Sequence, residues 1–137
     1  MPRELDEGNM NAEHLRHLKH ELRTPVNHII GYSELLVETA DDVGDCTIAD
    51  LAKGIHASGQ TLSRLLERNL VSAAAEMDER QMDTLRSSVR PVVKQILAVL
   101  LANPHLLVVD SYSQDLERIR QAANQLMLLV RADAPGF

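Results

Sequence analysis

The stretch that decides the fold is Leu18-Lys19-His20-Glu21-Leu22-Arg23-Thr24-Pro25, which lies inside an apolar-periodic run from about Asn11 to Glu38. Leucine or isoleucine recurs at every seventh position of this run, at Leu15, Leu22, Ile29 and Leu36, with Leu18 at the paired core position. A seven-residue apolar repeat is typical of a helix that packs in a bundle. We expect three further side chains to widen the apolar stripe, namely Val26, Ile30 and Leu35.

The same repeat places His20 on the outer face of the helix. With Leu15 at position a and Leu18 at position d, His20 falls at position f, which points away from the core. Glu21 follows directly, and Thr24 lies one turn further along the same face. A neutral imidazole has one ring nitrogen with a free lone pair, a neighbouring carboxylate can accept a proton, and a hydroxyl can position water. The spacing predicts a reactive histidine on a rigid helix.

The run His20-Glu21-Leu22-Arg23-Thr24-Pro25 resembles the H-box of the dimerisation and histidine-phosphotransfer domain of two-component sensor histidine kinases. Residues 26–36 continue the resemblance, and residues 55–62, followed by Asn69-Leu70, are similar to the second helix of that domain. The resemblance implies that His20 is the phosphoacceptor and that Glu21 assists proton transfer. It also implies that Thr24 helps to place water when phosphate is removed.

Two other interpretations of this stretch are possible. A lone surface histidine is more often an ordinary solvated side chain, and only its neighbours Glu21, Thr24 and Pro25 favour a reactive one. Metal binding is the second, because His14, His17 and His20 recur every three residues. Such steps drift around a helix, and Thr24 stands where the zinc-protease pattern requires a second histidine. We therefore predict no metal and no cofactor.

The composition agrees with a helical protein. The chain has 137 residues, of which 45% are apolar, and its only aromatic residues are Tyr32, Tyr112 and Phe137. A net charge of −6 without a basic stripe argues against binding to nucleic acid or to an anionic membrane. A single cysteine, Cys46, excludes an internal disulfide and fits a reducing compartment. Because we find no signal peptide and no apolar run that could span a membrane, we expect a cytoplasmic location.

Four helices in two hairpins are expected, which together predict an all-α, antiparallel four-helix bundle. A flexible N-terminus (1–10) precedes the first hairpin (11–76), whose helices span 11–39 and 48–76. A turn at 41–45 separates them, and Thr47 is the expected N-cap of the second. A polar link (77–81) leads to the second hairpin (82–131), with helices at 82–102 and 114–131 and a tail at 132–137. Ser111 or Ser113 is expected to cap the last helix, after an apolar run at 106–109.

The second hairpin has the pattern of a degenerate repeat of the first. Residues 22–26 align with residues 85–89 at an offset of 63, and residues 55–62 align with residues 119–126 at an offset of 64. His20 then corresponds to Asp83, which cannot carry a phosphohistidine. Any two amphipathic hairpins share such spacing. Two arrangements stay open: an intrachain pseudo-dimer, or a homodimer through the first hairpin with the last two helices outside.

The resemblance covers residues 12–75 and includes no ATP-binding domain. The glycines form no phosphate-cradling loop, so we expect no autonomous kinase activity. The partners implied are an ATP-binding kinase domain, in the same larger protein or in trans, and the receiver domain of a response regulator. Such a receiver would dock around His20, with candidate contacts at Arg16, His17, Arg23, Asn27 and His28. Lys19 and Arg23 are candidates for offsetting phosphate charge.

Three functions remain after these arguments. The first, which we favour, is a phosphoacceptor module that relays phosphate between His20 and an aspartate of a receiver domain. The second is a phosphatase-type regulator, in which Thr24 and Glu21 help water to remove phosphate from a partner. The third is an inert dimerisation or scaffold bundle.

Overall fold

The computed structural model describes residues 9–10, 12–71, 77–104 and 110–131. Four helices dominate it: α1 (Ala12–Val43), α2 (Cys46–Leu66), α3 (Glu79–Ala102) and α4 (Asp110–Val130). A π-helical turn (Glu67–Val71) continues α2. Two-residue strands, β1 (Asn9–Met10) and β2 (Met77–Asp78), precede α1 and α3 and pair in antiparallel orientation. No pattern in the sequence predicts this small ladder.

The four helices pack as a ring in chain order, so that each helix contacts the two beside it. The cross-helix pairs are Arg23–Glu67 and Glu34–His56 between α1 and α2, Arg90–Val130 between α3 and α4, and Tyr32–Arg118 between α1 and α4. In the first hairpin a later residue of α1 meets an earlier one of α2, as antiparallel packing requires. The prediction of an all-α bundle is confirmed, and one chain closes the ring by itself.

The core is aliphatic, as the composition predicts. The side chains of α1 that the seven-residue repeat assigns to the core are all at most 2% exposed, namely Leu15, Leu18, Leu22, Ile29 and Leu36. Tyr112 is the one aromatic side chain in the described core. Leu35 was expected to widen the stripe, but it is 47% exposed, because its position turns toward the face that carries His20. No helix in the described part of the chain is long and apolar enough to cross a membrane.

The break between α1 and α2 lies later than predicted. The helix continues through Asp41 and Asp42 to Val43, where the sequence predicted a turn. It ends at Gly44, whose φ of 75° is the left-handed conformation that glycine adopts without steric cost. Asp45, and not Thr47, caps α2, because its carboxylate accepts a hydrogen bond from the Ile48 backbone N–H at 3.1 Å.

The second hairpin also begins earlier than expected. Asp78 and Gln81 form a capping box, so that α3 starts at Glu79, inside the stretch predicted as a polar link. Helix α4 starts at Asp110, and Ser111 and Ser113 therefore lie within it and do not cap it. The predictions for residues 1–8, 11, 72–76, 105–109 and 132–137 lie outside the described residues.

The two prolines inside helices occupy opposite environments. Pro25 is buried and Pro91 is exposed, and both α1 and α3 continue without a break through them. Proline removes one backbone hydrogen bond from a helix interior. In α1 the loss falls on the core side, directly after the turn that carries His20, and the buried packing on either side keeps that helix intact.

Candidate functional site

His20 lies exposed on the outer face of α1, as the heptad predicts. Leu18 and Leu22, the leucines on either side of it, are 2% and 0% exposed. Because these two side chains are fixed in the core, the backbone that carries the imidazole is held in place. The result is a solvent-accessible ring on a rigid support, which is the geometry that a surface nucleophile requires.

Thr24 and Glu21 both lie near His20, but their side chains contact other groups. The Thr24 hydroxyl donates a hydrogen bond to the His20 carbonyl oxygen at 3.0 Å, so its proton is engaged with the backbone. The Oε1 atom of Glu21 lies 3.4 Å from Nε2 of His17, one turn toward the N-terminus. Both side chains of that pair are accessible, at 74% for His17 and 42% for Glu21. Glu21 is therefore accessible to solvent, and the contact that the structure shows for it is with His17.

The two cations predicted to offset phosphate charge are differently placed. Arg23 forms an ion pair with Glu67 on the π-helical turn, with Nη2 and Oε2 3.0 Å apart. This contact ties α1 to the end of α2 and partly neutralises the guanidinium. Lys19 is half-buried. Sequence reasoning missed the Arg23 contact because Glu67 is 44 residues away in the chain.

An open groove lies on the N-terminal side of His20. It is lined by Glu13, His14, Arg16, His17 and His20. Side chains of a helix lean toward its N-terminus, so the His20 ring lies over the turn that carries Arg16 and His17. The groove holds three histidines, yet no three His, Cys, Asp or Glu side chains in the described ranges are placed to hold one metal ion.

The exposed face of α1 continues past His20 to a second groove, between α1 and α2. This groove is lined by Gly31, Glu34, Leu35, Val37, Glu38, Lys53 and His56. Between the two grooves lie Asn27 and His28, both exposed. Arg16, His17, Arg23, Asn27 and His28, the predicted partner contacts, therefore share one continuous exposed face. Leu35, the exposed large apolar side chain of this groove, was assigned to the core from the sequence pattern, so its place on the surface was missed.

Helix α4 supports the same face from the side. The Arg118 guanidinium lies 5.5 Å from the centre of the Tyr32 ring and donates a hydrogen bond to its hydroxyl at 2.9 Å. His28 makes a T-shaped contact with the same ring, with centroids 6.0 Å apart and planes at 65°. A residue of the second hairpin thus steadies an aromatic side chain beside the exposed face of the first.

Asp83, the residue of α3 that aligns with His20 at the offset of 63, has a different chemistry and a different contact. Asp83 is exposed on α3 and forms an ion pair with Arg86, with Oδ1 and Nη1 3.3 Å apart. The described residues of α3 and α4 include no histidine. The second hairpin therefore offers no imidazole in the part of it that the structure describes.

Comparison with known proteins agrees with this asymmetry. The family model of the His Kinase A (phospho-acceptor) domain matches residues 10–78, which span β1 to β2 and include His20. Curated relatives are the cell-division control histidine kinases PdhS of Brucella ovis, Brucella canis and Brucella abortus, each 30% identical over 141 aligned residues. The alignment covers 94% of this chain, and so extends into α3 and α4, but only 14% of each relative.

The chain therefore spans a small part of the curated relatives that it matches. No solved structure matches it significantly. The family match covers half of the chain and includes the whole first hairpin, with the exposed His20 inside the matched range. The chain belongs to the His Kinase A (phospho-acceptor) domain family and is a component of two-component signal transduction.

Proposed function

We propose that this chain is a phosphoacceptor module, in which His20 accepts a phosphoryl group and passes it to an aspartate on a response-regulator receiver domain. The observation that carries the proposal is the exposed imidazole between two fully buried leucines, within the residues that match the phospho-acceptor family. A nucleophile must be accessible and must keep its position, and this arrangement supplies both properties.

The reaction is a direct exchange of bonds to phosphorus. The lone pair of the unprotonated ring nitrogen of His20 attacks the phosphorus atom, and an N–P bond forms while the bond from phosphorus to the donor oxygen breaks. In the second transfer a carboxylate oxygen of the receiver aspartate attacks, the N–P bond breaks, and the electron pair returns to the ring nitrogen. Positioning and charge stabilisation supply most of the catalysis in transfers of this kind.

Glu21 is the residue that we assign to proton transfer. As the ring becomes phosphorylated, its other nitrogen becomes more acidic, and a carboxylate one residue away can take or share that proton. The carboxylate contacts His17 in the resting geometry, and it is accessible enough to exchange that contact for one with His20. Thr24 is the residue that we assign to water placement, through the lone pairs that its hydroxyl keeps while it donates to the backbone.

The exposed face of α1 and the groove beside it are the surface that we assign to the receiver. Leu35 gives this surface an apolar centre, and charged groups surround it at Glu34, Glu38 and Lys53. An apolar centre with a polar rim is the usual anatomy of a transient protein interface. The groove lies on the C-terminal side of His20, which leaves the groove on its N-terminal side for the phosphoryl group.

The donor is expected to be an ATP-binding kinase domain. The relatives are named as histidine kinases, and this chain corresponds to 14% of their length. We expect the chain alone not to phosphorylate itself from ATP, because the described helices form only the acceptor bundle. The kinase domain would act from the same larger protein or in trans.

A single copy is sufficient for the proposed function. The buried stripe of α1 is covered by α2 on one side and by α4 on the other, and the ring is closed by α3. A homodimer through the first hairpin would require α3 and α4 to leave the apolar surface that they bury. We therefore favour the intrachain pseudo-dimer over the homodimer.

The test is to incubate the purified chain with phosphoramidate, or with a phosphorylated receiver domain, and to measure its intact mass. We expect a gain of one phosphate that is lost in acid and is absent in His20→Gln. The matched control, with phosphoramidate as the donor, is His28→Gln, which removes another exposed imidazole from the same helix and should still gain the phosphate. A chain that gains no phosphate from either donor would contradict the proposal.

The same experiment separates the two alternatives. A phosphatase-type regulator would shorten the lifetime of the phosphorylated receiver without becoming phosphorylated, and Thr24→Ala would abolish that effect. An inert scaffold would leave both the chain and the lifetime of the receiver phosphate unchanged. The engagement of the Thr24 hydroxyl with the backbone gives the phosphatase alternative no particular support.

A further inference from the structure

We infer that Arg16 is the cation that contacts the phosphoryl group carried by His20, an inference that rests on the proposed function. The sequence alone pointed to Lys19 and Arg23 for this task. The geometry of α1 points instead to the turn before His20, and to a residue whose guanidinium faces the same groove as the imidazole.

The direction of the His20 side chain is the first step. The Cα–Cβ bonds of a helix tilt toward its N-terminus, and long side chains cover the turn that precedes their own Cα atom. Arg16 is four residues before His20 and is therefore its neighbour on that side. In agreement with this rule, every other residue that lines the His20 groove precedes it in the chain, namely Glu13, His14, Arg16 and His17.

The state of the other cations is the second step. Arg23 lies on the far side of His20 and is held by Glu67 at 3.0 Å. Lys19 is half-buried and does not line the groove. Arg16 is exposed and makes no ion pair with any residue in the part of the chain that the structure describes, so its guanidinium is available for a ligand.

The chemistry of the two groups is the third step. A phosphoryl group brings roughly one and a half to two negative charges at neutral pH, on three oxygens. A guanidinium donates two parallel N–H bonds and matches two of those oxygens, whereas an ammonium acts as a point charge. Glu13 is the carboxylate in the same groove, and it forms no ion pair with Arg16 in the unphosphorylated chain. Phosphorylation of His20 would supply the dianion that Arg16 can pair with.

The test is the rate at which phosphoramidate phosphorylates His20, because a small donor removes any effect of receiver docking. We expect Arg16→Gln to lower this rate by about threefold to tenfold, the range for a charge-assisted contact at an exposed site. Arg16→Lys should recover part of the loss, since it restores the positive charge but not the two parallel N–H donors of the guanidinium. Arg64→Gln is the matched control, because it removes an exposed arginine from α2 outside the groove, and its rate should stay at the wild-type value.

Salt dependence provides a second measurement that a merely structural role would not change. The wild-type rate should fall as ionic strength rises, and the fall should be smaller in Arg16→Gln. Equal rates in Arg16→Gln and wild type would overturn the inference, and so would an equal loss in Arg64→Gln. A wild-type chain that takes no phosphate overturns the proposed function itself, whereas a phosphorylated wild type with an unaffected Arg16→Gln overturns only the role of Arg16.

Discussion

The two hairpins of this chain bury similar stripes and present different surfaces. In α2 and α4 the core positions correspond at an offset of 64 residues, so that Ile48, Ile55 and Leu62 are buried like Tyr112, Ile119 and Leu126. The outer faces share nothing comparable, because α1 carries the exposed His20 and the α3 position aligned with it carries Asp83. Core packing therefore constrains both hairpins alike, and the chemistry depends on the face that packing leaves free.

The alignment between α1 and α3, the first helix of each hairpin, makes this comparison more precise. The sequence aligned α1 with α3 at an offset of 63, which matches the buried Ile29 to the half-buried Val92. The six buried residues of α3 match buried residues of α1 at an offset of 67 instead, with Leu15 on Met82 and Leu22 on Val89. At an offset of 60 residues, which is one seven-residue period shorter, the six buried residues of α3 again match buried residues of α1. Shared burial therefore follows from bundle packing and does not by itself indicate a copied hairpin. At 67 the counterpart of His20 is Ser87, which cannot form a phosphohistidine either.

The largest effect should come from separating the second hairpin from the first. Leu116 on α4 is fully buried in the shared core, and Leu116→Ala should lower the free energy of unfolding by roughly 2–5 kcal/mol through lost burial and a residual cavity. Leu128, on the same helix, is 59% exposed, and Leu128→Ala should change the free energy of unfolding by less than about 0.5 kcal/mol. Urea unfolding followed by circular dichroism measures both. Equal, small effects would mean that α4 does not cover α1.

The next largest effect on the free energy of unfolding should come from a glycine of the first hairpin that has no glycine counterpart in the second. Gly59 in α2 corresponds to Ala123 in α4, and a Cβ added at Gly59 would lie 2.9 Å from Cγ1 of Ile30. Overpacking should outweigh the gain in helix propensity, and Gly59→Ala should cost roughly 1–2 kcal/mol. The control is Gly54→Ala, where a Cβ meets nothing within 4 Å, and it should stabilise the chain by roughly 0.5–1 kcal/mol. Stabilisation by both substitutions would contradict the close approach of α1 and α2.

A hydrogen bond between the hairpins gives a pH-dependent effect. The Tyr112 hydroxyl donates to Oδ2 of Asp45 at 3.0 Å, which links α4 to the turn of the first hairpin. Burial raises the pKa of Tyr112 above 10.0, and the hydrogen bond and negative charge of Asp45 raise it further. Because the folded chain holds this proton to higher pH than the unfolded chain, the contribution is complete below pH 10 and is lost as pH rises through the folded pKa.

We therefore expect wild-type stability to fall more steeply than that of Tyr112→Phe as the pH rises above about 10. Thermal unfolding across this range provides the measurement. Tyr32→Phe, which leaves the Tyr112–Asp45 pair intact, should retain the wild-type slope. The same slope in wild type and Tyr112→Phe would show that the contact does not couple the hairpins.

The smallest effect should come from the exposed contact between α4 and α1. Arg118→Gln removes the guanidinium from the Tyr32 ring and should cost about 0.5–1 kcal/mol, because the site is open to solvent. Arg118→Lys should recover less than half of this loss, since an ammonium cannot stack in the same way. A loss above about 2 kcal/mol would mean that this contact, and not the core, holds the hairpins together.

Much of the fold followed from the sequence because apolar period and exposure are linked directly. The repeat that begins at Leu15 predicted the buried stripe of α1, and the position of His20 within that repeat predicted its exposure. The ends of the helices were predicted less accurately from the sequence. Asp41, Asp42, Asp45 and Thr47 all have residue types that are common at turns and caps, and the left-handed Gly44 decides which of them ends or begins a helix.

The site followed only in part, because side-chain partners depend on the register between helices. Arg23 had no visible reason to pair with Glu67 until α2 was laid against α1. Leu35 counted as a core residue because it is apolar and adjacent to Leu36, although the helix turns it toward solvent. The importance of Arg16 depends on the direction in which helical side chains lean, which a pattern of residue types does not display.

The central claim is that one chain forms the complete bundle and carries one phosphoacceptor, and native mass spectrometry after treatment with phosphoramidate tests it most directly. The account predicts a monomer of 15.2 kDa with a single acid-labile phosphate, and an unmodified monomer for His20→Gln. A stable dimer would contradict the closed intrachain bundle. A phosphate that persists in His20→Gln would contradict the role of His20.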